Sequence, residues 1–138
     1  MLGDLIGEGK GKLTGQRVLE IHGETAPRLE MSVSGGGKTK GNIEYTEMWT
    51  YWSEKIEDGV QYGEGNGIWM TKDSSEVVTM IGQGVGRTTD AGSIRFVGSN
   101  FYSTTSNGKL AFLNNVVGVF EYEVDKEFNY RNKIWEWK

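Results

Sequence analysis

Apolar and polar residues alternate with period two along almost the whole chain, in runs broken by short clusters of glycine, asparagine, aspartate and serine. Residues two apart share one face of a strand, so this pattern predicts β-structure; no stretch holds the 3.6-residue period of an amphipathic helix. The runs place strands at about Ile6–Glu20, Arg28–Ser34, Gly41–Lys55, Val60–Thr71, Glu76–Arg87, Gly92–Thr104, Lys109–Val124 and Tyr130–Lys138. The connectors HGETAP, GGGKTK, IEDG, KDSS, TTDA, SNG and DKEFN are all short. Parallel neighbours need long crossovers, so successive strands should pair antiparallel. Asp58-Gly59 and Asn107-Gly108 predict tight hairpins. No composition shift marks a linker, and residues 1–138 read as one domain. An open sheet of such long strands would leave two bare edges, which closure removes. The expected fold is all-β: an antiparallel eight-stranded up-and-down closed β-barrel.

Three strands repeat one pattern: IGEGKG (Ile6–Gly11), YGEGNG (Tyr62–Gly67) and IGQGVG (Ile81–Gly86). Glycine alternates with larger residues, so the glycines share a face. The nucleotide-binding GxGxxG fingerprint needs a strand-to-helix turn, and no helix follows here. The hairpins suggest a register: Glu64 opposite Gln83 and Gly65 opposite Gly82, Ser53 opposite Glu64 and Tyr51 opposite Asn66, Asn100 opposite Asn115 and Phe101 opposite Asn114. A bulge would shift these pairs and exchange the faces. One face then carries Trp49, Tyr51, Tyr62, Ile68, Ile81, Val85, Val97, Phe101, Phe112, Val116 and Phe120, with Glu64, Asn66, Gln83, Arg87, Arg95 and Asn114. The other carries the glycines with Met48, Trp52, Trp69, Met80, Phe96, Tyr102, Leu113, Asn100 and Asn115. Aliphatic area favours the first face as the buried one. The first strand dissents, because Glu8, Lys10 and Lys12 oppose its glycines and read as solvated.

Composition narrows the function. Fifteen Lys and Arg stand against nineteen Asp and Glu, a net charge of -4, which argues against nucleic acid as a partner. No apolar run is long enough to span a membrane. The start, MLGDLIGEGKGK, lacks the basic and apolar regions of an export signal, so a cytoplasmic location is expected. The chain has no cysteine and one histidine, His22, in a predicted loop. Thiolate chemistry and a multi-histidine metal site are excluded, no metal site is expected, and no cofactor is implied.

With the first face inward, Glu64 is the candidate catalytic carboxylate. Tyr51, Tyr62, Glu64, Asn66, Gln83, Arg95 and Asn114 are the candidate ligand-binding residues. A carboxylate among apolar side chains must be paired, hydrogen-bonded or protonated, and Arg95 or Arg87 is the available cation. Asn100 and Asn115 read as a structural cross-strand pair. Trp135 and Trp137 share a face and read as barrel core or interface anchors. A homo-oligomer, a dimer before a trimer, is expected from an outward glycine face near Trp69 and Tyr102. The leading function is a barrel that binds one small apolar or amphipathic molecule. The alternatives are a cofactor-free isomerase or cyclase using a cavity carboxylate, and a packed structural or interaction barrel.

The strings IGEGKGKLTGQRVL, YGEGNGIWMTKD, IGQGVGR and GKLAFLNNVVGVFEYEVD resemble an uncharacterised family of small prokaryotic β-barrel proteins. More distantly, the glycine-alternating strands resemble the allene oxide cyclase-like barrels, which include the dirigent proteins. That resemblance implies an eight-stranded barrel, an apolar cavity and often a dimer or trimer. It carries no catalytic residue onto this chain.

Overall fold

A computed structural model describes residues 1–21 and 27–138. His22 lies outside the described residues. The strands are β1 (Leu2–Glu20), β2 (Arg28–Thr39), β3 (Ile43–Glu57), β4 (Val60–Thr71), β5 (Val77–Thr88), β6 (Ile94–Ser103), β7 (Val116–Val124) and β8 (Asn129–Trp137). Each pairs antiparallel with the next, and β8 returns to β1, with Gly7 opposite Ile134 and Gly11 opposite Tyr130. The barrel is closed, as the alternation predicts.

The register corrects two sequence expectations. Glu64 does oppose Gln83, and Gly65 opposes Gly82. At the β3–β4 hairpin, a bulge between Lys55 and Glu57 adds one residue, so Trp52 opposes Glu64 and Tyr51 opposes Gly65. After β6 there is no tight hairpin at Asn107-Gly108. The chain instead makes a loop with one 3-10 turn at Ala111–Leu113, and Asn100 opposes Gly118 while Phe101 opposes Val117. The Asn100–Asn115 pair does not form. Glu76 holds this loop: its Oε1 accepts from Leu110 N at 3.0 Å and from Ser106 Oγ.

The inward face is also corrected. Gly7, Gly9 and Gly11 of β1 and the glycines of β4 and β5 point into the barrel, together with Trp69, Met80, Phe96, Tyr102 and Leu113. Ile81, Val97 and Phe101 are exposed on the outside. Trp49, Tyr51 and Phe120, assigned to the opposite face, line the interior too, because the bulge and the loop each shift the alternation. The reason is space. Eight rows of large side chains do not fit a narrow barrel, so large residues must alternate with small ones. Trp69 occupies the room left by Gly7, where an added Cβ would stand 2.5 Å from its Cη2. Trp49 lies over Gly67, Phe96 over Gly86, and Ile134 over Gly118. Tyr45 stacks on Trp69 with centroids 4.1 Å apart. Each buried aromatic ring removes some 150–250 Å² from water, roughly 4–6 kcal/mol, more than an exposed Ile or Val forfeits. Trp69 and Tyr102 are fully buried, so the surface on which a dimer was expected does not exist at that place. Trp135 is half-buried and Trp137 exposed, opposite in facing to the core residue Ile134, so neither belongs to the barrel core.

Candidate functional site

The interior contains a cavity of about 80 Å³. Its walls are aromatic rings, including Trp49, Tyr51, Phe96 and Tyr122, and stretches of bare glycine backbone at Gly63, Gly65, Gly82 and Gly84. Two glutamates border it, Glu47 and Glu64, and of these Glu47 is the buried one. Glu47, on β3, is 2 % exposed. Its inward facing follows from the register: Glu47 opposes Gly35, Gly35 opposes Gly11, and Gly11 opposes Tyr130. The two glycines leave a gap over which Tyr130 lies, and its hydroxyl crosses two strands to donate to Glu47 Oε2 at 2.9 Å. Asn132 Nδ2 donates to the same oxygen at 3.3 Å, and Trp69 Nε1 donates to Oε1 at 3.2 Å.

The donors around Glu47 are neutral, and among the described residues no ion pair reaches it. Burial pushes its pKa above the usual carboxylate value; the hydrogen bonds from Tyr130, Trp69, Asn132 and Trp49 pull the other way. Burial raises the phenols of Tyr45, Tyr102, Tyr122 and Tyr130 as well, and the Glu47 charge adds to each. Tyr51 and Tyr122 pair hydroxyl to hydroxyl at 3.1 Å on the cavity wall. Among the described residues, two buried polar atoms have no partner, Tyr45 Oη and Asn132 Oδ1. The cavity is thus an aromatic chamber with one end rich in acceptors. Such a chamber can take a small molecule with an apolar body and a hydrogen-bond-donating end.

Of the candidate site residues read from sequence, Tyr51, Glu64 and Gln83 border this chamber; Tyr51 is half-buried there, whereas Glu64 and Gln83 are exposed. Glu64, Asn66 and Gln83 come together, but on the outer surface, in a groove of about 580 Å³ shared with Trp52, Ile81 and Phe101. Tyr62 joins them: its hydroxyl lies 2.7 Å from Glu64 Oε1 and 3.1 Å from Gln83 Oε1. With one hydrogen, it donates to one of them at a time. Glu64 is exposed, and where it borders the chamber its neighbours Gly63 and Gly65 are the inward residues. Arg95 pairs with Glu121 at 2.8 Å rather than with Glu64. Asn114 sits in the loop before β7, where its Oδ1 accepts from Thr104 N at 3.2 Å. The residues that sequence reasoning missed are Glu47, Tyr130 and Asn132. A signal was present: Tyr45, Glu47, Trp49 and Tyr51 alternate on one face, a lone carboxylate in a row of aromatics.

No family model matches the chain, and no curated protein does. Solved structures do. A β-barrel-like protein from Acinetobacter baumannii AYE superposes with a TM-score of 0.80 at 13 % identity, over 100 % of this chain and 96 % of that one. A protein of unknown function from Clostridium acetobutylicum ATCC 824 gives 0.78 at 12 % identity, over 98 % of each chain. A conserved protein of unknown function from Rhodopseudomonas palustris gives 0.75 at 13 % identity, over 99 % of each. At such identities the likeness is one of fold. The chain is a β-barrel of the same architecture as these bacterial proteins of unknown function.

Proposed function

We propose that the barrel binds one small amphipathic molecule in its interior. The observation that carries this is the chamber itself: aromatic walls around a buried carboxylate, with Asn132 Oδ1 on the same wall unpartnered among the described residues. A fully packed structural barrel has no reason to keep an internal acid without a counter-ion, because an unpaired buried charge is costly. At about 80 Å³ the space is well below the roughly 300–1,000 Å³ typical of drug-sized ligands, so the ligand is a single small ring or a short chain. Its apolar part lies against Tyr51, Phe96 and Tyr122, and its donor end faces Glu47. The second reading, acid–base catalysis on such a molecule, is favoured by one observation: burial raises the pKa of the cavity carboxylate, a property of general acids and bases. In either reading Glu47 takes the place given to Glu64 from sequence.

Native mass spectrometry of the purified protein, followed by NMR titration with benzyl alcohol, tests the binding reading. Binding shifts the ring resonances of Tyr51 and Tyr122 and leaves those of Tyr62, on the outer groove, in place. Val33, buried on the cavity wall, gives the control: Val33→Phe fills the chamber and abolishes the shifts. Shifts confined to Tyr62 and its neighbours, or unchanged binding to a folded Val33→Phe, would overturn it.

A further inference from the structure

The donor end of the ligand can be specified from the atoms that await it. Glu47 supplies a negative charge with no cation beside it among the described residues. Asn132 bridges from that charge to a second acceptor. Its Nδ2 donates to Glu47, and its Oδ1 is left unpartnered. Tyr45 Oη, also unpartnered among the described residues, lies near the same place: a Cβ at Gly9 would stand 2.8 Å from the Gly36 carbonyl oxygen, 3.1 Å from Tyr45 Oη and 3.2 Å from Asn132 Oδ1. Tyr45 itself is 1 % exposed. A buried polar atom without a partner is uncommon in native proteins and calls for an explanation, and here two such atoms point to one spot beside a lone anion.

We propose that this end of the chamber is a receptor for a small primary ammonium group, with Glu47 as its counter-ion and Asn132 Oδ1 and Tyr45 Oη as its remaining acceptors. The inference rests on the reading of the interior as a binding site and names the ligand class. An ammonium carries three donors and no acceptor, which matches three acceptors of which one is charged. A hydroxyl brings a single hydrogen and leaves acceptors unmet. A guanidinium brings five donors in a rigid fork, more than the acceptors can meet. A carboxylate or phosphate meets like charge. The surrounding rings add to the selection. Tyr45 and Trp69 stack, Tyr102 packs on Trp69 at 5.3 Å, and a desolvated cation is attracted to such ring faces. The ligand is therefore a short aryl- or alkylamine whose tail lies toward Tyr51 and Tyr122.

The indole N–H of Trp69, which donates to Glu47 Oε1, is the reporter. Its NMR cross-peak is followed in titrations with benzylammonium, benzyl alcohol and benzoate at constant ionic strength near neutral pH. Expected are benzylammonium binding at least about tenfold tighter than benzyl alcohol and no detectable binding of benzoate. Glu47→Gln then removes that preference, because the ammonium loses a charge-assisted bond and the alcohol only an ordinary one. Tyr45→Phe, which keeps the stacked ring, weakens the ammonium more than the alcohol and supplies an independent check should the Glu47 variant not fold. If the alcohol binds as well as the ammonium, or the preference survives in both variants, the ammonium assignment is overturned while the interior binding site stands. If neither probe binds the wild type, the assignment falls together with the site.

Discussion

Glu47→Gln removes the charge at the centre of the barrel and keeps its shape, and the geometry fixes what should follow. The glutamine's Oε1 retains the bond from Trp69 Nε1. Its Nε2 takes the place of Oε2, facing Tyr130 Oη and Asn132, both of which now donate. The phenol adapts by rotating its hydrogen away and accepting. The Asn132 amide adapts by turning over, so that Oδ1 accepts from the glutamine and Nδ2 takes the position Oδ1 held, which is unpartnered in the wild type. Tyr45 Oη stays as it was. No unmet polar group is added, and a buried charge without a counter-ion, which is costly, is gone. The variant should be more stable than wild type near neutral pH by about 1–3 kcal/mol, a gain of several degrees in Tm.

The pH dependence gives the same argument a sign. Burial raises the Glu47 pKa in the folded protein above its ordinary value of 4.5. Between those two values the folded state binds more protons than the unfolded one, so wild-type stability falls as pH rises through that interval and levels off above it. The titratable groups that sense the Glu47 charge are the phenols of Tyr45, Tyr102, Tyr122 and Tyr130, all raised and silent in this range. Surface carboxylates such as Asp4, Asp58 and Asp73, held below their usual values, titrate alike in both proteins and cancel in the difference. Urea unfolding of both proteins from about pH 4 to 9 should show the variant gaining on wild type as pH rises. A variant that is less stable near neutrality, and falls further behind as pH rises, would refute the reasoning. The ionised carboxylate would then be the form that the four donors are built to hold.

Two glycine substitutions separate space from conformational freedom. Gly67→Ala drives its Cβ into the Trp49 ring and should cost about 1–3 kcal/mol, whereas Gly15→Ala meets nothing within 4 Å and should gain about 0.4–1 kcal/mol. Chemical denaturation of both checks this, and equal effects would remove the packing account of the inward glycines. Glu76→Ala should release the loop before β7, seen as faster amide exchange at Leu110. The bonds from Leu110 N and Ser106 hold the Glu76 carboxyl below its usual value, so in wild type this clamp is present above about pH 4.5 and is lost as pH falls through the lowered folded pKa.

How much of this was legible in the chain is clearest from β1 and β3. The period-two pattern specifies strands, and short connectors specify antiparallel neighbours, so the barrel could be read directly. Facing is a different quantity. It changes with every single-residue offset, and two offsets are hidden here: Ile56 in the bulge before Asp58-Gly59, and the turn Ala111–Leu113 where a hairpin at Asn107-Gly108 was expected. Summing aliphatic area over faces assembled through those offsets mixed inner and outer residues. Glu64 gained the role of cavity acid from that mixture, and Glu47 was passed over.

The chain nonetheless contained an internal standard. In β1 the residues opposite the glycines are Glu8, Lys10 and Lys12, and a row of three charges cannot line a narrow dry interior. Gly7, Gly9 and Gly11 must therefore face inward, and residues paired across an antiparallel ladder share a face. Carried around the ladder, Gly11 fixes Gly35, and Gly35 fixes Glu47. On the other side, Gly11 fixes Tyr130. Four residues from four strands thus form one inward row: tyrosine, glycine, glycine, glutamate. The two glycines clear the path for the hydroxyl to meet the carboxylate, and this can be tested at one of them. A Cβ at Gly35 would stand 2.5 Å from Tyr130 Oη and closer still to the carbonyl of Lys10, which is backbone and cannot swing aside. Gly35→Ala should break the Tyr130–Glu47 bond and cost about 1–3 kcal/mol. The Trp69 indole cross-peak should shift at the same time, because the carboxylate it contacts loses its strongest partner. A wild-type melt with an unmoved indole resonance would show that the row does not control the acid, and Glu47 would then owe its place to β3 alone.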